Sequence, residues 1–290
     1  MKNILITGAN SYIGTSFEKW VEQWPDEYRV HTVDMIDGSW KKKSFKEYDV
    51  VFHVAGIAHV STDPNMEDLY YKVNRDLTIE TAKKAKDDGV KQFIFMSSII
   101  VYGDSSNINK KRIIDKNTVP EPSNFYGNSK LQAEEGILKL QDDNFNIVVL
   151  RPPMIYGKGS KGNYQLLSKL AKKSPIFPNI ENERSMLHID NLCEFIRLMI
   201  QNNEKGIFFP QNKEYVNTSE LVSLIAESNG KKIIETRIFN PLLRLMGNYV
   251  VAVNKAFGSL VYEKGMSEYK ENYRVVDFRN SVSITERIKK

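Results

Sequence analysis

"KNILITGANSYIG", residues 2–14, passes from a six-residue apolar stretch through two glycines into the start of a helical pattern. Residues 2–7 are short and nearly continuously apolar, as in a strand buried on both faces. Gly8 and Gly14 bracket the turn that follows. A glycine turn between strand and helix lets backbone N–H groups and the positive helix end meet a pyrophosphate. Ser11 stands where a Gly-x-x-Gly-x-x-Gly pattern has its middle glycine. The loop alone is therefore a weak signal, and its surroundings must carry the reading.

They do so through alternation. Further strand-like runs occur at 28–33, 49–55, 91–98 and 145–151, and helical patterns lie at about 12–23, 65–88 and 125–142. The second helical pattern opens with acidic residues in "DPNMEDL" and closes before Gly89, as helix ends should. Alternating β and α elements predict an α/β fold with a doubly wound parallel sheet of the Rossmann type. After Arg151 the rhythm changes at "RPPMIYGKGSKGN". The expected division is a dinucleotide-binding domain over residues 1–155 and a smaller substrate-binding part over 156–290, partly interleaved with the sheet. In "NPLLRLMGNYVVAVNKAFG", Leu242, Met246, Tyr249, Val253 and Phe257 follow helical spacing, which predicts a packed amphipathic helix over 240–258 rather than a membrane contact.

Composition narrows the function. A chain of 290 residues, 41% apolar and 27% charged, has material for one large core and a solvated surface. The net charge of +5 is scattered, with "KKK" at 41–43 and "KKR" at 110–112 the densest groups. No long basic run interleaved with aromatics marks a nucleic-acid site. "MKNILITG" enters the first strand with no signal peptide before it, and no apolar stretch predicts a membrane-spanning helix. With the single cysteine, Cys193, this points to a reducing, cytoplasmic setting.

The second strand ends at Asp34, where this fold places the carboxylate that hydrogen-bonds an adenosine ribose. A carboxylate there repels a 2′-phosphate, so NAD is expected over NADP, with NADP kept open. The fourth strand runs into Ser97 and Ser98, at the sheet end where ligands bind. "YGNSK" puts Tyr126 and Lys130 four residues apart on one helix face. An ammonium beside a phenol favours the phenolate, which suits proton exchange with a sugar hydroxyl during hydride transfer. His53 and His59 do not converge on a metal ion, and none is expected. Cys193 reads as a core thiol.

Together with "TGANSYIG", "DVVFHVAGIAH", "YKVNRDLT", "FMSSIIVYG", "LRPPMIYGKG" and "RSMLHIDN", these features resemble the extended short-chain dehydrogenases/reductases that act as nucleotide-sugar epimerases, dehydratases and reductases. The resemblance covers about residues 3–195. It implies that Gly8, Ser11, Tyr12, Ile13, Gly14, Asp34, Ala55, Gly56, Asn74, Tyr126, Lys130 and Pro153 hold the cofactor. It implies a catalytic set of Ser98, Tyr126 and Lys130, with Ser97 as the alternative serine. Ser98, Met154, Asn163 and Arg184 would meet a UDP-sugar, Arg184 at its pyrophosphate. A homodimer through the helices at 65–88 and 125–142 is also implied.

The reaction is narrowed by absence of proton-handling groups. Dehydratases of this group carry an Asp–Glu pair after the catalytic Ser/Thr, and here Ile99 and Ile100 occupy those positions. The first expectation is C4-keto reduction of a UDP-4-keto-6-deoxy-N-acetylhexosamine for surface polysaccharide synthesis. The alternative is 4-epimerisation of a UDP-sugar such as UDP-glucose or UDP-GlcNAc. A catalytically silent NAD(H)-binding sensor is the reading from another class.

Overall fold

The computed structural model describes residues 1–58, 63–103 and 107–287. They form two compact units: residues 1–104, 119–152 and 192–210, and residues 105–118, 153–191 and 211–290.

The first unit is built on a six-stranded parallel sheet. Its order from one edge is Gly206–Phe208, Asn146–Leu150, Gln92–Met96, Val50–His53, Lys2–Thr7 and Tyr28–Val33. The inner strands are buried along almost their whole length, which is why they read as unbroken apolar runs rather than as an alternation. Tyr28–Val33, at the edge, is only partly covered. The chain leaves Lys2–Thr7 to form Tyr28–Val33 on one side, then returns to form Val50–His53 on the other. That reversal opens a crevice at the carboxyl ends of two neighbouring strands, the place where such sheets take ligands.

Among the helical segments of this unit, three bear on the site. Tyr12–Val21 follows the glycine loop. Glu67–Tyr70, Tyr71–Asp76 and Leu77–Asp87 form one continuous run whose middle piece is a π-helix. Phe125–Leu138 is capped by Asn124, whose side chain accepts from the Gly127 N–H at 2.9 Å. Gly127 lets this helix approach closely: a Cβ there would lie 2.7 Å from the Ile100 carbonyl oxygen. Gly136 does the same against Ile79.

A buried polar cluster ties the Phe125–Leu138 helix to the sheet. The Arg151 guanidinium, just beyond the Asn146–Leu150 strand, forms a bidentate ion pair with Glu134. Arg151 also donates to the Tyr102 hydroxyl at 2.7 Å, and the Ser97 hydroxyl donates to Glu134.

In the second unit, helices Asn163–Lys173, Thr218–Ser228 and Phe278–Glu286 enclose a core that includes Tyr156, Leu167, Phe177, Ile225 and Val282. Three short parallel strand pairs accompany them: Lys111–Ile114 with Ser259–Tyr262, Met154–Tyr156 with Met186–His188, and Ile176–Pro178 with Ile234–Thr236.

The single helix expected over 240–258 is instead two, Asn240–Met246 and Val251–Phe257. Gly247 sits against Ile108, and Asn254 holds the break by donating to the Gly247 carbonyl at 2.6 Å and accepting from the Ile108 N–H at 3.0 Å. Met246, Val253 and Phe257 pack as expected, but Leu242 and Tyr249 are exposed.

Removing one partner of a buried ion pair strands the other charge, so Glu134→Ala is expected to lower stability by about 3–5 kcal/mol. Glu134→Gln should lose less, because it keeps an acceptor for Ser97. Urea denaturation of the three proteins checks the order.

Candidate active site

The glycine loop starts where the first strand ends. Gly8 has φ +103°, and a Cβ there would lie 2.9 Å from the Ala55 backbone nitrogen. No other residue meets both demands. The Gly8 and Ala9 N–H groups donate to the Val33 carbonyl at 3.0 and 3.2 Å, so the loop is also fastened to the second strand. Ser11 has φ −68° and ψ 144°, an ordinary extended conformation, so this position does not need glycine. Its hydroxyl instead caps the helix, accepting from the Gly14 N–H at 3.2 Å. A Cβ on Gly14 would fall 2.6 Å from that hydroxyl and 3.0 Å from Ile6. Tyr12 and Ile13 lie half-buried in the first turn.

This is a backbone cradle that any added side-chain atom would fill, and it fits the diphosphate of a dinucleotide. Asp34 follows the second strand, exposed to solvent, with one carboxylate oxygen accepting from the Ile36 N–H at 2.7 Å.

Beyond the third strand, Ala55 and Gly56 face a second close approach. A Cβ on Gly56 would lie 2.9 Å from the Asn74 side-chain oxygen and 3.3 Å from Lys130 Nζ. Asn74 is fully buried within the π-helical segment. It accepts from the Ile57 N–H at 2.9 Å and donates to the Ile57 carbonyl at 3.1 Å and to Ser129 at 3.3 Å. One side chain thus links the loop after the third strand to the helix bearing Tyr126 and Lys130.

Ser98, Tyr126 and Lys130 come together in this unit. The Ser98 hydroxyl lies beside the Tyr126 phenol, close enough to act on its pKa, and accepts from the Ile100 N–H at 3.3 Å. Tyr126 packs edge-on to Tyr70, with ring centroids 5.7 Å apart. Lys130 is buried, lies over the Phe95 ring, and donates to the Met96 carbonyl at 2.9 Å. Ser97 points elsewhere, into the Glu134 carboxylate.

The electrostatics depart from expectation. Burial pushes the Tyr126 phenol up to about 12; Tyr70 adds to the rise and the Ser98 hydroxyl opposes it. Burial pushes Lys130 down to about 8, opposed by the Glu134 carboxylate one turn along the helix. The acidic tyrosine predicted from the four-residue spacing is therefore not found, because desolvation dominates and the ammonium is turned to the Met96 carbonyl. The phenol is a proton donor at neutral pH, and its conversion to a base requires positive charge to be brought to it.

The other expected positions belong to the second unit. Pro153 is buried, Met154 is half-buried at the start of its strand, and Asn163 is the exposed first residue of its helix. The Arg184 guanidinium donates to the Lys255 and Gly258 carbonyls at 2.8 and 3.1 Å. This unit also holds an open cleft of about 580 Å³, lined by Ile108, Lys110, Lys111, Tyr215, Arg244 and others.

His53 packs between the Thr7 and Thr78 hydroxyls at 2.6 and 3.0 Å. Burial, then the Lys130 charge, pushes it down to about 3, so it is a neutral core residue. His59 lies outside the described residues. Cys193 is buried. Glu134 and Arg151 escaped the sequence reading. Only the i,i+4 spacing of Glu134 from Lys130 hinted at a role.

Residues 4–209 match the model of the NAD dependent epimerase/dehydratase family. The UDP-glucose 4-epimerase of Vibrio cholerae is 33% identical over 249 residues, covering 78% of this chain and 75% of that protein. The N-acetyl-alpha-D-glucosaminyl-diphospho-ditrans,octacis-undecaprenol 4-epimerase of Escherichia coli O157:H7 is 29% identical over 266 residues, covering 85% of this chain and 78% of the other. Among solved structures, a dTDP-4-dehydrorhamnose reductase from Clostridium acetobutylicum superposes with a TM-score of 0.74 at 18% identity, covering 98% of both chains. The UDP-glucuronic acid 4-epimerase of Bacillus cereus, in complex with NAD, gives 0.74 at 17% identity, covering 98% of this chain and 95% of that one. At such identities these two structures establish the shared fold alone.

The depressed Lys130 pKa has a consequence for stability. From about pH 8 to the ordinary lysine value near 10.4, the unfolded chain binds a proton that the folded chain does not. Stability attributable to this group therefore rises with pH across that window, and its burial is most unfavourable below it. Lys130→Met should remove this rise. Urea titrations at pH 7 and pH 10 on both proteins measure the difference.

Proposed function

The chain belongs to the NAD-dependent epimerase/dehydratase family, and on that premise we propose that it interconverts C4 epimers of a diphosphate-linked sugar. Two findings support this reading. Ser98, Tyr126 and Lys130 converge beside the loop at Gly56. The relatives at 33% and 29% identity bear the names of 4-epimerases, one acting on a nucleotide sugar and the other on a polyprenyl diphosphate sugar. The convergence of the three side chains carries the chemistry; the relatives' names favour epimerisation over net reduction.

The bound nicotinamide supplies an acceptor and donor of hydride. Once the phenol has given its own proton to solvent, the Tyr126 oxygen takes the proton of the C4 hydroxyl as the C4 hydrogen leaves with its electron pair, giving a 4-keto sugar. Ser98 donates a hydrogen bond to the same sugar oxygen and keeps it within reach of the phenol. The Lys130 ammonium provides the positive charge that lets the phenol lose its proton. Return of hydride to the opposite face of the ketone, with Tyr126 giving its proton back, completes the inversion with no net redox change. Ile99 and Ile100 follow Ser98 in a short 3-10 turn and offer no group for a proton at C5 or a leaving hydroxyl at C6.

Three outcomes test this. Purified enzyme with UDP-glucose, UDP-GlcNAc or GlcNAc-diphosphate-polyprenol should produce the C4 epimer by NMR without added reductant. Stoichiometric loss of NADH with a 4-keto-6-deoxy UDP-sugar would instead favour the reductase. Tyr126→Phe should lower turnover by about 10²–10⁴-fold while leaving NAD binding nearly unchanged by calorimetry. Asp34→Ala should narrow the preference for NAD over NADP, because it removes the repulsion of a 2′-phosphate.

A further inference from the structure

The segment between residues 234 and 251 presents apolar side chains on both of its faces. Leu243 and Met246 pack against the core of the second unit. On the other side, Ile238, Leu242, Leu245 and Tyr249 are 79%, 57%, 58% and 82% exposed. Their spacing of four, three and four residues makes one continuous stripe along the Asn240–Met246 helix and its flanking turns. Phe239 and Val251 extend the exposed surface, and Ile234 and Ile176 add to it as register partners in the adjoining strand pair. Isolated exposed leucines are normal, but a contiguous group of this kind marks an interaction site.

Charge selects the occupant. Lys231, Lys232, Arg237, Arg244 and Lys255 are exposed along the same stretch. The sequence holds no Asp or Glu between Glu235 and Glu263. Arg237 meets Glu181 at 3.6 Å, but both side chains are largely exposed, so that pair is worth little. Apolar side chains rimmed by cations suit the boundary between acyl chains and anionic headgroups. A second copy meeting this face symmetrically would set the same cations against one another. No helix among the described residues is long and apolar enough to cross a membrane, and the helix of the stripe has only seven residues, so the fit is to a surface.

We propose that the 234–251 face docks on an anionic lipid bilayer, with Ile238, Leu242, Leu245 and Tyr249 inserted at the headgroup boundary. Arg244 lies between two of the inserted leucines in sequence and also lines the 580 Å³ cleft of the same unit. Docking therefore holds the cleft at the lipid surface. If the proposed function is right, that position suits a sugar whose diphosphate is anchored in lipid; the docking itself does not depend on it.

Co-sedimentation of the full chain with phosphatidylcholine vesicles, with and without 30% phosphatidylglycerol, tests the proposal. Binding should require the anionic lipid and weaken several-fold between 0.1 and 0.5 M NaCl. The variant Leu242→Ser/Leu245→Ser/Tyr249→Ser should bind about 100-fold more weakly, with an unchanged melting temperature and unchanged NAD binding. Arg244→Gln/Arg237→Gln should weaken binding to the anionic vesicles and flatten its salt dependence. No vesicle binding by the folded wild type, equal binding to both vesicle types, or a dimer in solution dissolved by the triple variant would each overturn it. None of these readouts requires turnover, so failure here is separable from failure of the epimerase reading.

Discussion

The bidentate pair between Arg151 and Glu134 is the constraint from which the geometry of the candidate site follows. Two charges removed from water need nearly complete mutual satisfaction, and they obtain it only in one arrangement of strand and helix. Arg151 also reaches Tyr102, and Glu134 also takes the Ser97 hydroxyl. The end of the fourth strand, the short turn after it and the Phe125–Leu138 helix are thereby held in mutual register. Ser98 is the residue after Ser97, and Lys130 is one turn before Glu134. Two of the three proposed catalytic groups, Ser98 and Lys130, are thus each one step from a buried ionic lock.

The same lock bears on proton chemistry. Burial moves the phenol and the ammonium in opposite directions, each toward its neutral form. At neutral pH Tyr126 is held neutral, while Lys130, though lowered to about 8, keeps its charge. The Glu134 carboxylate opposes the loss of charge on Lys130, yet it is largely committed to Arg151. The site is therefore tuned by desolvation against a nearby counter-charge, and small changes in water access would shift both groups together.

Much of this was legible in the sequence, for definable reasons. The inner strands announced themselves because parallel strands covered on both faces must be apolar throughout. Gly8 was legible because positive φ and close approach coincide there. Ser11 was misleading as a departure, since its backbone is ordinary and its hydroxyl serves as a cap. The edge strand Gly206–Phe208 has three residues and no periodicity to detect. The ion pair joins residues far apart in the chain, which no local pattern encodes. The break at Gly247 depends on Ile108, which is farther away still in the chain. The spacing of Tyr126 and Lys130 reports the proximity of an ammonium and says nothing of the burial that raises the phenol's pKa.

The π-helical segment Tyr71–Asp76 carries an implication for how this chain tolerates change in length. A π turn accommodates one more residue than the α-helix around it, so it is an insertion absorbed without breaking the helix. Deleting a single residue there would let the run relax to a regular α-helix. Because the extra residue is already absorbed, the two flanks would stay in phase, while side chains of the former π turn would move around the axis by up to the roughly 100° that one α-helical residue advances. Asn74 could then no longer face Ile57 and Ser129 while Thr78 keeps its place beside His53. The extra residue acts as a phase adjuster between two neighbouring contacts, and the length of this helix is under tighter constraint than the identities along its outer surface.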